Sequence, residues 1–312
     1  MNRNEQVIQS AERANQSCEF CGGERNFTRG AAITYFCPRM SNAQDSTRSR
    51  RTLILLALIA LLAPSATRAQ QPFYTDDTDV TPRGKLHFEF SNQFDFLQPS
   101  SFPNLRQNTA SFELGYGLFE GVEVSIETPL LAIFNARGTS PRTVVGVGDT
   151  NLSVKYNFRQ ERESSRLPAM SVSLSVELPT GDTARQLGSG VADFSFNGIA
   201  QKALTERTKL RLNGGTIFSG NTLTGAVCLR TRGVVFTGGA SIVREFTPKL
   251  ILGAEVTGAR TRNSDLGKAQ LQTQFGGNYV LRDGLTFDFG IVGGRYAASP
   301  RLGLQIGIST DF

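Results

Sequence analysis

Apolar and polar residues alternate along most of this chain from Lys85 onward. The clearest case is Arg301–Phe312, where Leu and Ile alternate with Gly, Gln, Ser and Asp before a final Phe. Such alternation predicts β-strands with one apolar and one polar face. Twelve segments show it, at about 85–96, 105–118, 122–131, 148–158, 168–178, 192–203, 209–219, 233–246, 250–260, 269–281, 285–292 and 301–312.

The lengths of the connections alternate as well. Most even-numbered segments are followed by short turns, whereas odd-numbered segments precede longer links such as 132–147, 179–191 and 220–232. Residues 159–167 are the exception. Outer-membrane barrels combine short periplasmic turns with long external loops. The pattern predicts an all-β fold, a single antiparallel transmembrane β-barrel of about 12 strands. A soluble β-sandwich or a periplasmic lipocalin-like barrel is the alternative.

The N-terminal region predicts secretion. From Met40, the basic residues Arg48, Arg50 and Arg51 precede the apolar run 53–63, and small residues follow up to Ala69. This order is typical of a secretory signal peptide. We therefore expect four parts: a mis-called, disordered extension at 1–39, a signal peptide at 40–69, a periplasmic leader at 70–84 and the barrel at 85–312.

Composition excludes several kinds of site. Cys18, Cys21 and Cys37 lack the fourth ligand that a structural zinc site needs, so neither a metal nor another cofactor is predicted. The chain carries a net charge of +6, but residues 1–69 hold 9 of the 33 basic and 5 of the 27 acidic residues. The remaining net charge of +2 argues against a nucleic-acid partner.

The polar parity of the segments predicts the residues that line a lumen. They are Lys85, Glu89, Asp95, Glu113, Glu127, Asp149, Lys155, Glu177, Asp193, Arg211, Glu255, Asp288 and Arg301. Acidic residues outnumber basic ones, which predicts a narrow, water-filled pore that admits neutral or cationic small solutes over anions. The alternative is a closed barrel filled by ion pairs.

Two further segments bear on the predicted pore. Loop 132–147, with Arg137 and Arg142, is the candidate constriction because it is long and basic. Residues 70–83 contain Asp76, Asp77 and Asp79. We expect this leader to be solvated, with folding into the periplasmic mouth as the alternative.

Aromatic residues fall where a membrane-interface girdle belongs, on the apolar parity near the periplasmic ends of even-numbered strands. They are Tyr116, Phe158, Phe246, Tyr279 and Phe312. This arrangement predicts the lipid bilayer as a partner of the outer face.

An enzyme is not predicted. Some twelve-stranded barrels are phospholipases, which need a Ser–His pair oriented by a third polar residue. The single histidine, His87, faces inward, and Ser91 lies two inward positions further along the same strand. We interpret His87 as a structural hydrogen-bonding residue.

Several short motifs occur in a recognisable order between Phe73 and Phe312. They are 76–79 (DDTD) before Gly84, 115–118 (GYGL), 127–129 (ETP), 146–152 (GVGDTNL) running on to Lys155-Tyr156, 178–182 (LPTGD) and 187–190 (LGSG). In these motifs the chain resembles the MetA-pathway of phenol degradation family. The resemblance implies an outer-membrane transporter or channel, with aromatic compounds among its solutes.

The end of the chain resembles the signal that the outer-membrane barrel assembly machinery reads. Gln305, Gly307 and Phe312 match this signal, whereas Thr310 stands where an apolar or aromatic residue is usual. We therefore expect a channel in the outer membrane of a Gram-negative bacterium, passing small solutes by passive diffusion, with the assembly machinery as a partner. A closed structural or receptor barrel that acts through its external loops is the alternative.

Overall fold

The computed structural model describes residues 72–162, 166–218, 233–261 and 269–312. The predicted extension and signal peptide lie outside the described residues. The strands are β1 Leu86–Phe96, β2 Asn104–Phe119, β3 Val122–Asn135, β4 Thr143–Val147, β5 Thr150–Arg159, β6 Ala169–Leu178, β7 Asp193–Thr205, β8 Thr208–Phe218, β9 Val234–Thr247, β10 Leu250–Thr261, β11 Ala269–Arg282, β12 Leu285–Gly294 and β13 Leu302–Asp311. In these ranges no helix is long and apolar enough to cross a bilayer.

The strands form one closed antiparallel barrel. Each strand from β5 to β13 pairs with its sequence neighbour, β13 pairs with β1, and β1, β2 and β3 continue the ring. β4 and β5 both pair with β3, at residues 130–134 and 122–127 respectively. They are therefore two halves of one barrel strand, interrupted at Gly148 and Asp149. With that pair counted once, the barrel has the predicted 12 strands.

The barrel has two different ends. The short connections β2–β3, β7–β8, β9–β10 and β11–β12, together with the β5–β6 link and the chain terminus Phe312, lie at one end, called here the turn end. The opposite end, called here the loop end, carries the described connections β1–β2, β3–β4, β6–β7 and β12–β13. In β13, Leu304 and Ile306 are exposed on the outer face, while Gln305 and Ser309 are buried on the inner face. The polarity of the sheet is thus inverted relative to a soluble protein.

The predicted loop 132–147 is the main difference from the sequence-based boundaries. β3 continues to Asn135 and β4 begins at Thr143, so only residues 136–142 connect them. The alternation fails here because both faces are apolar. Inward-facing Ile133 and Val144 are buried against Leu187, from the link between β6 and β7. A loop folded into the barrel therefore changes the apolar pattern of the strands beneath it.

The predicted periplasmic leader is wrong for residues 72–82, which lie inside the barrel. Pro72, Phe73, Thr75, Asp77, Thr78 and Thr81 are buried against the inner wall. Several of their polar groups bond to wall side chains, as the contacts below show. The less favoured alternative, a segment folded into the mouth, is closer to the structure.

Leu174→Arg tests whether the apolar outer face lies in lipid. Leu174 is 57 % exposed on β6. We expect the arginine to lower the free energy of unfolding from phospholipid vesicles by about 2–4 kcal/mol, because a charge near the bilayer midplane loses its hydration. Urea titration followed by the heat-dependent shift in gel mobility measures this change. Leu174→Met is the control. A change below about 0.5 kcal/mol, as at an ordinary wetted surface, would contradict the assignment.

Candidate functional site

A row of carboxylates crosses the inner wall of the barrel. The register pairs Glu89 with Glu113, Glu113 with Glu127, and Glu177 with Asp193. Asn151 lies between Glu127 and Glu177 and is paired with both. The row therefore runs without a gap across β1, β2, β3, β5, β6 and β7. It begins near the turn end of β1 and ends at the loop end of β7, where Asp193 is the first residue of the strand.

Serine side chains line the wall beside this acid row. Ser125 and Ser153 share a hydrogen bond of 2.7 Å across β3 and β5, and Ser175 hydrogen-bonds to Ser195 across β6 and β7. All four are half-buried. Because serine is short and polar, this part of the wall leaves room for water next to the carboxylates.

Residues 72–82, called here the N-terminal plug, rise through the lumen from the turn end to the middle of the barrel. At the turn end, the backbone N–H of Thr81 donates to Glu123 Oε2 at 2.6 Å. Further in, the Thr78 carbonyl accepts hydrogen bonds from Asn157 Nδ2 at 2.5 Å and from Ser171 Oγ at 2.8 Å. Residues 78–82 of the plug are therefore held to β3, β5 and β6.

Residues 72–75 of the plug are held by side chains of β10 and β11. The two carboxylate oxygens of Glu255 accept the backbone N–H groups of Tyr74, at 2.9 Å, and Thr75, at 2.8 Å. Gln274 Nε2 donates to the Pro72 carbonyl at 2.5 Å. These contacts satisfy backbone groups that would otherwise be buried without partners, which would cost free energy.

Two plug carboxylates pair with the buried basic residues of the wall. Lys155 Nζ lies 2.7 Å from Asp76 Oδ1 and 3.5 Å from Asp77 Oδ1, and Arg211 Nη2 lies 3.2 Å from Asp77 Oδ2. Burial by itself would raise the pKa of Asp77, but the positive charges of Arg211 and Lys155 hold it below its usual range. Asp77 therefore stays ionised and compensates the two wall cations.

Glycines in the wall make room for the plug. A Cβ at Gly239 would lie 2.7 Å from Thr75 Cγ2, and one at Gly253 would lie 2.8 Å from Phe73 Cζ. A Cβ at Gly276 would lie 2.9 Å from Pro72 Cγ. All three distances are shorter than van der Waals contact, so any larger residue would push the plug from the wall.

The plug divides the lumen into two sectors. In the sealed sector, formed by β11–β13, the inward side chains are buried: Gln274, Thr286, Asp288, Val292, Gln305 and Ser309. In the open sector, formed by β2–β7, many are half-buried, including Ser111, Glu113, Glu127, Ser153, Glu177 and Ser195. Solvent therefore reaches the serines and Glu113, Glu127 and Glu177 of the acid row, whereas Glu89 and Asp193, at the ends of the row, and the amide-rich side are buried.

The turn end contains space beside the plug. A cavity of about 450 Å³ lies between plug residues 78–82 and the inner wall, where Asn157, Gln201 and Lys209 contribute to its lining. The turn end is thus not completely filled by the plug.

At the loop end, residues 179–192, called here the inner loop, fold over the lumen. Asp149, at the break between β4 and β5, accepts the backbone N–H of Gly181 at 2.9 Å and that of Ser189 at 2.6 Å. Thr180 Oγ1 donates to the Gly148 carbonyl at 3.0 Å. The motifs 146–152, 178–182 and 187–190 therefore meet in one structure. Its role is to hold the inner loop in place.

The structure separates the predicted lumen residues into groups. Those on the inner face are Glu89, Asp95, Glu113, Glu127, Lys155, Glu177, Asp193, Arg211, Glu255 and Asp288. Of these, Lys155, Arg211 and Glu255 are covered by the plug. Asp149 binds the inner loop. Lys85 precedes β1 at the turn end, and Arg301 precedes β13 at the loop end; both are exposed.

The remaining predicted residues lie at the ends of the barrel. Arg137 and Arg142 are exposed in the connection between β3 and β4. Tyr116, Phe158, Phe246 and Tyr279 are exposed on the outer face near the turn end, and Phe312 is half-buried there. Their contact with the membrane interface stays a prediction.

His87 is bound by carboxylates. Its Nδ1 lies 2.6 Å from Asp311 Oδ1, and its Nε2 lies 3.5 Å from Glu89 Oε2. This geometry joins β1 to β13 at the turn end of the barrel. Among the described residues, no group of three or more His, Cys, Asp and Glu side chains could hold a metal ion.

Sequence reasoning missed the position of the plug, including Tyr74, and the inner loop. One signal was present: the acidic motif at 76–79 precedes a wall that contains buried Lys155 and Arg211. Lys155 and Arg211 need counter-charges, but strand parity does not show which acids supply them.

Comparisons with known proteins agree with this architecture. A family model described as "Putative MetA-pathway of phenol degradation" matches residues 72–312. An outer membrane channel from Pseudomonas putida F1 has a similar structure, with a TM-score of 0.58 and 15 % identity over 76 % of this chain and 98 % of that chain. The NanC porin covers 72 % of this chain and 98 % of its own, with a TM-score of 0.48 and 11 % identity. Among curated protein sequences, none matches.

Asp77→Asn tests how the plug is held. The substitution leaves buried Arg211 without its carboxylate, which typically costs about 3–5 kcal/mol. We expect faster hydrogen exchange at the amides of residues 72–82, measured by mass spectrometry. Asp79→Asn is the matched control, because it removes a carboxylate from the same segment outside the ion pairs. Equal exchange in the two variants would contradict the role of Asp77.

Asp149→Ala tests the attachment of the inner loop. Without the two carboxylate hydrogen bonds, the loop should open more often, and trypsin should cut after exposed Arg185 roughly tenfold faster. Gel electrophoresis of timed digests measures the cleavage. Asp283→Ala, in the β11–β12 turn, is the control. An unchanged rate would show that other contacts hold the loop.

Proposed function

The chain belongs to the MetA-pathway of phenol degradation family, and from this we propose that it is a narrow diffusion channel of the Gram-negative outer membrane. Small neutral and cationic solutes pass along the open sector, between the N-terminal plug and the acid row. The family name concerns phenol degradation, so small neutral aromatic compounds are among the solutes to test. No energy source or cofactor takes part.

The observation that carries this proposal is the asymmetric compensation of lumen charges. The basic residues Lys155 and Arg211 are buried and paired with plug carboxylates. Glu113, Glu127 and Glu177 face the open sector and are half-buried. A passage whose accessible charges are negative favours cations and excludes anions.

The proposed partners follow from the two faces and the end of the barrel. Exposed Leu and Phe side chains of the outer face contact the lipid bilayer. The last strand, with Gln305, Gly307 and Phe312, is the part that the outer-membrane assembly machinery would bind. We propose no nucleic-acid partner and no enzyme activity, since His87 is engaged by Asp311 and Glu89 rather than by a serine.

A closed structural or receptor barrel is the second candidate. The observation in its favour is that the plug and the inner loop both fill the lumen, the plug at the turn end and the inner loop at the loop end. Such a barrel would act through its external loops and would conduct no ions.

Recordings in planar bilayers test the channel and its charge preference. Under a KCl gradient, we expect the purified protein to conduct with a reversal potential that shows preference for K⁺. Replacing the three glutamates of the open sector by glutamine (Glu113→Gln, Glu127→Gln and Glu177→Gln together) should lower the K⁺/Cl⁻ permeability ratio by about twofold or more.

The matched control is Glu206→Gln, because Glu206 is exposed in the β7–β8 turn and does not line the turn-end cavity. This control should leave the ratio unchanged. Anion preference in the unaltered protein would overturn the proposed selectivity, and absence of conductance would favour the closed barrel.

A further inference from the structure

Tyr74 occupies a special position on the plug. Its neighbours Phe73 and Thr75 are buried against the wall, whereas the Tyr74 side chain is 45 % exposed. In extended backbone, successive side chains point in opposite directions. The contacts that press residues 73 and 75 to the wall therefore direct the Tyr74 ring into the lumen.

Two hydrogen bonds hold Tyr74 between strands β10 and β1. The Tyr74 backbone N–H donates to Glu255 on β10 at 2.9 Å, and its hydroxyl donates to Gln93 Oε1 on β1 at 2.6 Å. Three strands, β11 to β13, separate β10 from β1 in the ring. Tyr74 thus joins two parts of the wall that are not neighbours.

Gln93, which accepts the hydrogen bond from the Tyr74 hydroxyl, is itself held in place. Gln93 Nε2 donates to both carboxylate oxygens of Asp95, at 2.9 and 3.0 Å. At the near end, Glu255 binds the N–H groups of two consecutive plug residues. The ring is therefore supported at both ends, which limits its freedom to move aside.

Tyr74, bonded to Glu255 on β10 and to Gln93 on β1, lies at the border between the two sectors. On one side lie the buried side chains of β11–β13, and on the other lie the half-buried Glu113, Glu127 and Glu177 of the acid row. We propose that Tyr74 sets the size limit of the channel by forming the plug side of its narrowest part. This inference rests on the proposed channel function and names the residue that determines which neutral solutes fit.

The test compares Tyr74→Ala and Tyr74→Phe with the unaltered protein. Swelling of liposomes in neutral sugars of increasing size gives the size limit, and planar bilayers give the conductance. Removing the ring should raise the conductance by about twofold and admit larger sugars, since pore diameter controls both. Tyr74→Phe should keep the size limit, because Glu255 still holds the backbone and the ring remains.

Tyr279→Ala is the matched control, because Tyr279 is exposed on the outer face of the barrel. It should change neither quantity. A permeable unaltered protein with an unchanged limit in Tyr74→Ala would contradict this inference alone. If neither protein were permeable, the proposed function would be contradicted together with it. An impermeable unaltered protein with a permeable Tyr74→Ala would contradict the proposed channel function but still place Tyr74 at the narrowest part of the lumen.

A second measurement avoids any effect of the alanine on folding. In Tyr74→Cys, a cationic methanethiosulfonate reagent should reduce the conductance, because the modified side chain lies in the passage. The unaltered chain, which retains Cys228, is the background control. Reagent that modifies the introduced thiol without changing the conductance would exclude Tyr74 from the passage.

Discussion

The structure depends on the closure of one sheet whose apolar side faces outward. Closure pairs every described strand except β4 on both sides, and β4 pairs with β3 alone. Paired strands leave no row of backbone N–H and C=O groups without partners in an apolar surrounding. The inner face must then hold the polar side chains of all the strands. In a soluble protein these groups would meet bulk water. Here they share a limited volume, and their charges have to be compensated within it.

The N-terminal plug provides part of this compensation. Asp76 and Asp77 bring negative charge to Lys155 and Arg211, while Glu255 and Gln274 satisfy the plug backbone. Pairing of the plug with the wall thus offsets the free-energy cost of burying the charged and polar groups of both. This pairing affects the basic and the acidic residues of the lumen differently. The plug covers Lys155 and Arg211 and leaves Glu113, Glu127 and Glu177 half-buried, and the proposed cation preference rests on this difference.

Four of the motifs that indicate the family belong to this arrangement. The motif 76–79 belongs to the plug, and the motifs 146–152, 178–182 and 187–190 attach the inner loop through Asp149. They act on the two segments that narrow the barrel, one from each end. Short motifs of Gly, Asp and Thr suit this task, because the segments must approach the wall closely and bond to its backbone.

The sequence by itself determined the barrel, its 12 strands and the inward or outward direction of most residues, because strand periodicity is a local property. It also predicted that the acidic residues of the row face inward, since residues of one parity on a strand share a face, but their cross-strand register came from the structure. Only the tertiary structure decided that residues 72–82 enter the lumen, that the inner loop rather than 132–147 folds over it, and that Tyr74 spans it. These outcomes depend on pairings such as Asp77 with Arg211, in which residues far apart in the chain compensate each other's buried charge, and no local pattern records them.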